Sequence, residues 1–277
     1  MKKISVITSV RNGERFLHRW IAHYGAAFGP ENLHVILDGL DQARPSPDTG
    51  VNVIQTPYVA RSRLAGDKFR AARASSLARD LFKTSDIVIG TDVDEFIVVD
   101  PKLNVSLAEY LSSVAIRNSL SPLGIDVAPN ANQEAPLDWT APFLGQRRFG
   151  VISDRYTKTA ILAKPLQWGS GQHRVRRHGF HIDPNLFLFH FGSVDQQETQ
   201  ARTTDPGRVA TGWQAHQQRR NALLEEVTSA SALPGDARFD SARQSLSRPR
   251  SLLSWNKPRP LKEDAVVEIP ERFFGIV

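Results

Sequence analysis

Over the first hundred residues, short apolar runs alternate with longer segments of helical period, and this alternation predicts β-α-β units around a largely parallel sheet. Ile4 to Thr8 reads as a first strand. Phe16, Leu17, Trp20, Ile21 and Tyr24 then recur at the spacing of one buried helix stripe, which ends near Gly29-Pro30. Leu33 to Leu37 and Val51 to Ile54 read as the next strands, the former stopping at Asp38-Gly39. Asp67 to Lys83, rich in Ala, Arg and Leu, predicts a second helix. Ile87-Val-Ile89 is the continuous apolar run of a strand covered on both faces, and it feeds directly into Asp92-Val-Asp94.

Beyond Pro101 the pattern loosens. Leu107 to Ile116 predicts a helix, and residues 118–146, rich in Pro, Asn and Ala, predict mostly loop with one strand near Leu123–Val127. Further strands are expected at Arg155 to Ala163 and Leu186 to Phe191, separated by the Gly-rich Trp168-Gly-Ser-Gly-Gln-His173. A helix is expected from Gly212 to Val227. The remainder, with Arg248-Pro-Arg250 and Lys257-Pro-Arg-Pro260, reads as a strap over the body or a mobile arm.

Composition narrows the chemistry. A chain of 277 residues, 40% of them hydrophobic, can bury a full core. No apolar run approaches the roughly 20 residues that span a bilayer, and the start of the chain lacks the run of a secretion signal, so a cytoplasmic location is expected, with a peripheral contact to an anionic inner membrane face left open. With no cysteine, any metal must be held by oxygen or imidazole, which favours Mg²⁺ or Mn²⁺. The net charge of +6 is uneven: Lys+Arg against Asp+Glu runs 15 to 16 over residues 1–140, 19 to 9 over 141–262, and 1 to 4 over 263–277. A basic second half suits a phosphate-bearing substrate or an anionic lipid surface; a solvated basic face is the plain alternative.

Asp38, Asp92 and Asp94 all fall at predicted strand ends, where open α/β sheets deliver ligand-binding groups. Were Asp92-Val-Asp94 extended, both carboxylates would project to one side. Like charges held together call for a cation, and a divalent ion there could also take phosphate oxygens of a nucleotide. The plain alternative is a polar turn after a buried strand.

Four segments in this order, Val6-Ile-Thr-Ser-Val-Arg-Asn-Gly-Glu14, Val35-Ile-Leu-Asp-Gly39, Gly66-Asp-Lys-Phe-Arg-Ala-Ala-Arg73 and Asp92-Val-Asp-Glu-Phe96, resemble glycosyltransferase family 2 with the GT-A fold. With Tyr156-Thr-Lys158 and Phe189-His-Phe191 downstream, the chain looks most like the bacterial branch related to the family 92 galactosyltransferases. The resemblance covers residues 4–101 well and thins afterwards. It implies an α/β chain of GT-A type, with a Rossmann-like mixed, mostly parallel sheet flanked by helices and a C-terminal acceptor-side elaboration. Residues 1–101 would form the nucleotide-sugar half, 102–227 the acceptor-side half of the same domain, and 228–277 a basic, proline-containing extension.

The resemblance also implies roles. Thr8, Arg11 and Asn12 would line the nucleotide pocket, Asp38 would accept an N–H of the base, and Arg70 or Arg73 would reach base or phosphate. Asp92 would contact ribose and the metal region, Asp94 would ligate Mn²⁺ or Mg²⁺, and His190 would complete the metal site. Lys158 and Arg155 would face the departing diphosphate, or are ordinary surface charges; His173 competes with His190, which is itself set in a run apolar enough for a core histidine. The implied reaction is metal-dependent transfer of a sugar from a nucleotide diphosphate, in the first instance a UDP-sugar, to a hydroxyl of a glycan or lipid-linked acceptor, with inversion.

The chain departs from the pattern at the base that such a reaction needs. Asp126, Asp138 and Asp154 are candidates, and none stands out. Two other functions compete. A sugar-phosphate nucleotidyltransferase would carry a Gly-rich phosphate loop after the first strand, whereas Ser9 to Gly13 has one glycine. A non-enzymatic nucleic-acid-binding protein would suit the pI near 9.8, but no such motif accompanies the charge and Asp92–Glu95 would repel a phosphate backbone, so no nucleic-acid partner is expected.

Overall fold

Strands β1 (Ile4–Val10) and β4 (Ile87–Gly90) are buried along nearly their whole length because both faces of the sheet they form are covered. In the computed structural model, which describes residues 1–203, 214–248, 250–251, 254–261 and 266–277, β1 pairs in parallel with β4 on one side and with β2 (Leu33–Asp38) on the other, and β3 (Asn52–Thr56) closes that edge. Helix α1 (Glu14–Phe28) lays Phe16, Leu17, Trp20 and Tyr24 on one face of this sheet. Helix α2 (Arg63–Leu81) covers the other with Ala71, Ala74 and Ala78 against Ile7, Ile36 and Val88. Small alanines let α2 lie close to the strands. It begins at Arg63, four residues before the expected start at Asp67.

The second half adds strands to the same sheet: β5 (Glu95–Val99), β6 (Ser119–Val127), β7 (Phe149–Ile152), β8 (Ile161–Leu162), β9 (Ile182–His190), β10 (Leu233–Pro234) and β11 (Val266–Glu268). The whole is a mixed α/β fold, its sheet flanked by helices. Strand β6 is the hinge of the arrangement. Its first residues pair antiparallel with β8, and its later ones pair antiparallel with β7 and in parallel with β9. The register slips between Ser121 and Leu123, across Pro122, which has no N–H to give to a ladder. Past that slip, β5, β9 and β6 run side by side, with Glu95 opposite His190 and His190 opposite Asp126.

Two expectations need correction. Arg155 to Ala163 is not one strand: only Ile161–Leu162 is extended, and a strand lies instead at Phe149–Ile152. Residues 153–158 turn over β6, with the Thr157 N–H on the Ser153 carbonyl at 2.9 Å and the Thr157 hydroxyl accepting the Gly124 N–H at 2.9 Å. The described residues of the final fifty do lie across the body, but they carry a helix, Gly235–Leu246, and the strand β11, neither of which the pattern predicted. Phe239, Leu246, Val267 and Phe273 join the main core, with Phe273 edge-on to Phe187 and Phe189. The helix expected from Gly212 is present as Gln214–Ser229; its expected first residues lie outside those described. Among the described residues no helix is long and apolar enough to cross a membrane.

Gly124 is the contact on which the 153–158 turn rests, since a Cβ there would fall inside the backbone of Tyr156 and Thr157. Gly124→Ala should destabilise the protein by about 1–3 kcal/mol through overpacking. A urea midpoint unchanged from wild type would show that the turn can shift freely.

Candidate functional site

The row Glu95, His190, Asp126 across three neighbouring strands puts two carboxylates beside one imidazole before any loop is considered. The chain enters this row through a tight turn. The Glu95 N–H donates to the Asp92 carbonyl at 3.1 Å, and the Asp92 N–H donates back to Glu95 Oε2 at 2.9 Å. Thr91 anchors the turn on the core, its N–H on the Ile7 carbonyl and its hydroxyl accepting from Trp20 Nε1 at 2.9 Å. The expectation of an extended Asp92-Val-Asp94 is therefore wrong, because Glu95 folds its own side chain back to close a turn. The two aspartates take different partners as a result.

Lys158, only 2% exposed, reaches Asp92 Oδ2 at 3.2 Å and Glu95 Oε2 at 2.7 Å. Burial works to lower the lysine, yet Asp92 and Glu95 together hold its ammonium above the ordinary value. Glu95 is buried completely, and that desolvation pushes its carboxyl up even with Lys158 alongside. On the other side of the turn, His190 Nε2 lies 3.4 Å from Asp94 Oδ2 while its Nδ1 lies 2.6 Å from Asp126 Oδ1. Burial opposes a charge on His190, but Asp126 and Asp94 outweigh it and raise the imidazole to about 10. Asp94 is partly buried, which works to raise it, but His190, with Arg220 at 4.0 Å, holds it far below the usual carboxylate range. Tyr156 stacks flat on the imidazole at 3.8 Å between ring centres.

All of these groups line one cavity of about 880 Å³. At one end sits Asp38, whose Oδ1 is buried with no hydrogen-bond partner among the described residues. Beside it, the Arg11 guanidinium donates to the Asp38 carbonyl at 2.8 Å and lies 3.9 Å over the Tyr58 ring. Asn12, with φ of 53°, turns the chain there. Arg70, ion-paired with Asp67, lines the same wall. Thr8 is set deeper, in an adjoining cleft of about 50 Å³, with its hydroxyl unpartnered. Arg73 is not in the lining; it donates to Thr56 at 2.9 Å. At the other end Asp126 and Asp154 both face the cavity, Asp154 held by Arg250, whereas Asp138 is outside the lining and bonded to Thr140. His173 lines the wall with Nδ1 at 3.0 Å from the Arg155 carbonyl, and burial, with Lys158 nearby, lowers it to about 4.

Several lining residues had no place in the sequence reading. Arg219, Leu223 and Glu226 all face the cavity from the helix Gln214–Ser229. Their spacing of four and three marks one helical face, a signal present in the sequence. Arg220 gave no comparable sign, and Tyr156 entered only as part of the Tyr156-Thr-Lys158 resemblance, with no role of its own.

Among the described residues no three His, Asp or Glu side chains are gathered as a ready metal cage. Asp94 and His190 nevertheless form a fitting pair of donors. Asp126 on Nδ1 leaves Nε2 as the nitrogen that faces Asp94, the arrangement that orients imidazole ligands in metal sites. Gly192 keeps that side open: a Cβ there would fall 2.6 Å from His190 Nε2 and 2.5 Å from Arg220 Nη2. Two protein donors suit an ion that fills its remaining positions with phosphate oxygens and water.

No protein-family model and no curated protein matches this chain. Solved structures similar to it include a mannosyltransferase from Pyrobaculum calidifontis in complex with GDP-Man and Mn²⁺, at 13% identity and TM-score 0.37, covering 87% of this chain and 79% of that one. A mannose-1-phosphate geranyltransferase from Thermus thermophilus aligns at 12% identity and TM-score 0.32 over 97% of this chain and 74% of that one. A cytidylyltransferase from Leptospira borgpetersenii aligns at 12% identity and TM-score 0.28 over 49% and 58%. The likenesses are loose, and the chemistry has to be read from this chain's own side chains.

Lys158→Met should leave the fully buried Glu95 without its counter-ion, costing about 3–5 kcal/mol. Adding Glu95→Gln should recover part of that loss. Denaturant titration in which the single variant matches wild type would mean that the buried lysine is not holding the turn.

Proposed function

We propose that this chain is a divalent-metal-dependent glycosyltransferase of GT-A type, related to family 2, which moves a sugar from a nucleoside diphosphate, in the first instance a UDP-sugar, to a hydroxyl of a glycan or lipid-linked acceptor. The observation that carries the reading is the pairing of Asp94 Oδ2 with His190 Nε2 at 3.4 Å on the wall of a large, charged cavity. Asp38 supports it from the opposite end, because an unpaired buried carboxylate oxygen is costly unless a ligand N–H meets it. Arg11 and Tyr58 would flank the nucleoside, and Arg70 would reach its phosphates.

Asp94 and His190 would hold Mn²⁺ or Mg²⁺, the ion taking the place of the Nε2 proton while Asp126 keeps the one on Nδ1, with Asp92, 56% exposed, beside them. The ion, when bound, supplies positive charge to the diphosphate as it leaves. The rest falls to the chain. Lys158 fixes Asp92, Asp126 fixes the imidazole, and Arg155 and Arg220 face the space where negative charge would build up. For an inverting attack the acceptor proton needs a carboxylate on the far side, and Asp154 is the candidate that lines the cavity without being engaged by His190. A second reading, sugar-phosphate nucleotidyl transfer, draws on Arg11 and Asn12 standing right after the first strand, where a triphosphate would lie.

A nucleoside diphosphate at about 100 times its Kd should raise the melting temperature by about 5–10 °C in the presence of Mn²⁺. Asp94→Asn and His190→Ala should each abolish the Mn²⁺-dependent part of that shift, and Asp38→Ala should erase preference among bases. If no nucleoside diphosphate shifts the wild type, the glycosyltransferase reading fails. Pyrophosphate released from a triphosphate and a sugar phosphate would establish the second reading instead.

A further inference from the structure

Two stretches of this chain contain no acidic residue, 155–182 and 241–262, and each carries six Lys or Arg. The fold lays them against one another. Asn256 donates to the Val175 carbonyl at 2.8 Å, and Trp255 lies beside Gly179, where even a Cβ would touch the ring at 3.7 Å. Arg250, paired with Asp154, also donates to the Pro258 carbonyl at 2.6 Å. Lys257 is partly buried and close enough to Arg174 and Arg250 that its ammonium is held below the ordinary range. The first stretch is braced as a hairpin, with the Arg176 N–H on the Gln167 carbonyl and the Gly169 N–H on the Arg174 carbonyl, both at 2.8 Å. Arg176, Arg177, Arg259 and the Trp255 ring are exposed.

This strip starts at the cavity. Arg155, His173 and Pro260 line the cavity wall, and Arg174 and Arg259 are the next residues outward. Guanidinium groups crowded together repel one another until an anion lies between them, and they grip carboxylate or phosphate oxygens in pairs. A flat, half-exposed indole among them offers a face to an aliphatic ring. Trp255 is the one large apolar side chain exposed among the described residues of the two stretches.

We propose that this strip binds an anionic glycan, its carboxylate or phosphate groups on Arg174, Arg176 and Lys257 and one sugar ring on Trp255, and that this glycan is the acceptor for the adjoining cavity. The second half of the proposal rests on the glycosyltransferase reading above.

The test is fluorescence anisotropy of a labelled oligogalacturonate and a labelled phosphomannan oligosaccharide as carboxylate and phosphate arms, against neutral dextran, single-stranded RNA and vesicles rich in phosphatidylglycerol, at about 0.15 M salt. One of the two anionic glycans should bind in preference to all three comparators. Arg176→Glu with Arg177→Glu, and separately Trp255→Ala, should each weaken it by about tenfold or more. The melting temperature and the Mn²⁺-dependent nucleotide shift should stay at wild-type values, which separates loss of the strip from loss of the fold or of the donor end. Equal affinity for dextran, tighter binding to RNA or vesicles, or an unchanged Trp255→Ala affinity would each overturn the proposal. Glycan capture without any nucleotide shift would sink the glycosyltransferase reading and leave the strip as a glycan-binding surface.

Discussion

Four carboxylates, Asp92, Asp94, Glu95 and Asp126, are crowded onto one end of three adjacent strands, and the site depends on how their repulsion is relieved. Two cationic side chains of the chain itself do most of this, each held between a pair of acids. Lys158 spans Asp92 and Glu95, and His190 spans Asp94 and Asp126. The pairing splits two aspartates that are two residues apart in sequence onto separate partners. It also supports the turn, since Lys158 lies on the same Glu95 Oε2 that accepts the Asp92 N–H. Remove either cation and the same residues would be driven apart.

The parallel half of the fold was legible because its signals are local. Apolar runs, the α1 stripe and the breaks at Gly29-Pro30 and Asp38-Gly39 each mark an element without reference to the rest of the chain. Asp38, Asp92 and Asp94 were legible as site candidates for the same reason, as polar groups placed where strands end; His190 came forward through the resemblance, its apolar surroundings suiting a core histidine equally well. What could not be read is set by tertiary contact. The turn at 153–158 exists because Gly124 admits its backbone, and Lys158 is buried because two acids from a different strand meet it there. Period alone gave the segment the look of a strand. Arg73 shows the reverse error: its place on α2 suggested the pocket, yet its side chain is spent on Thr56.

The charge asymmetry of the sequence also acquires a location. Part of the basic excess of residues 141–262 lies along the cavity, through Arg155, Lys158 and Arg219, and part along the exposed strip beyond it. The end of the cavity around Asp38, built from the charge-balanced first half, presents single groups such as Asp38 and Arg11. The two ends of the cavity thus offer different means of holding a ligand, a few directed hydrogen-bonding groups at one and accumulated positive charge at the other.

A buried ion pair is a poor means of stabilising a protein, because desolvation can exceed the attraction that follows. An apolar residue at position 158, with apolar partners, would fold as well or better. What such a trio could not do is hold Asp92 at a fixed place with more than half of its side chain facing the cavity while the opposite wall stays dry. The energetic cost of Lys158 is therefore best understood as the cost of geometry: a carboxylate kept accessible to the cavity and fixed in place next to the Asp94–His190 pair.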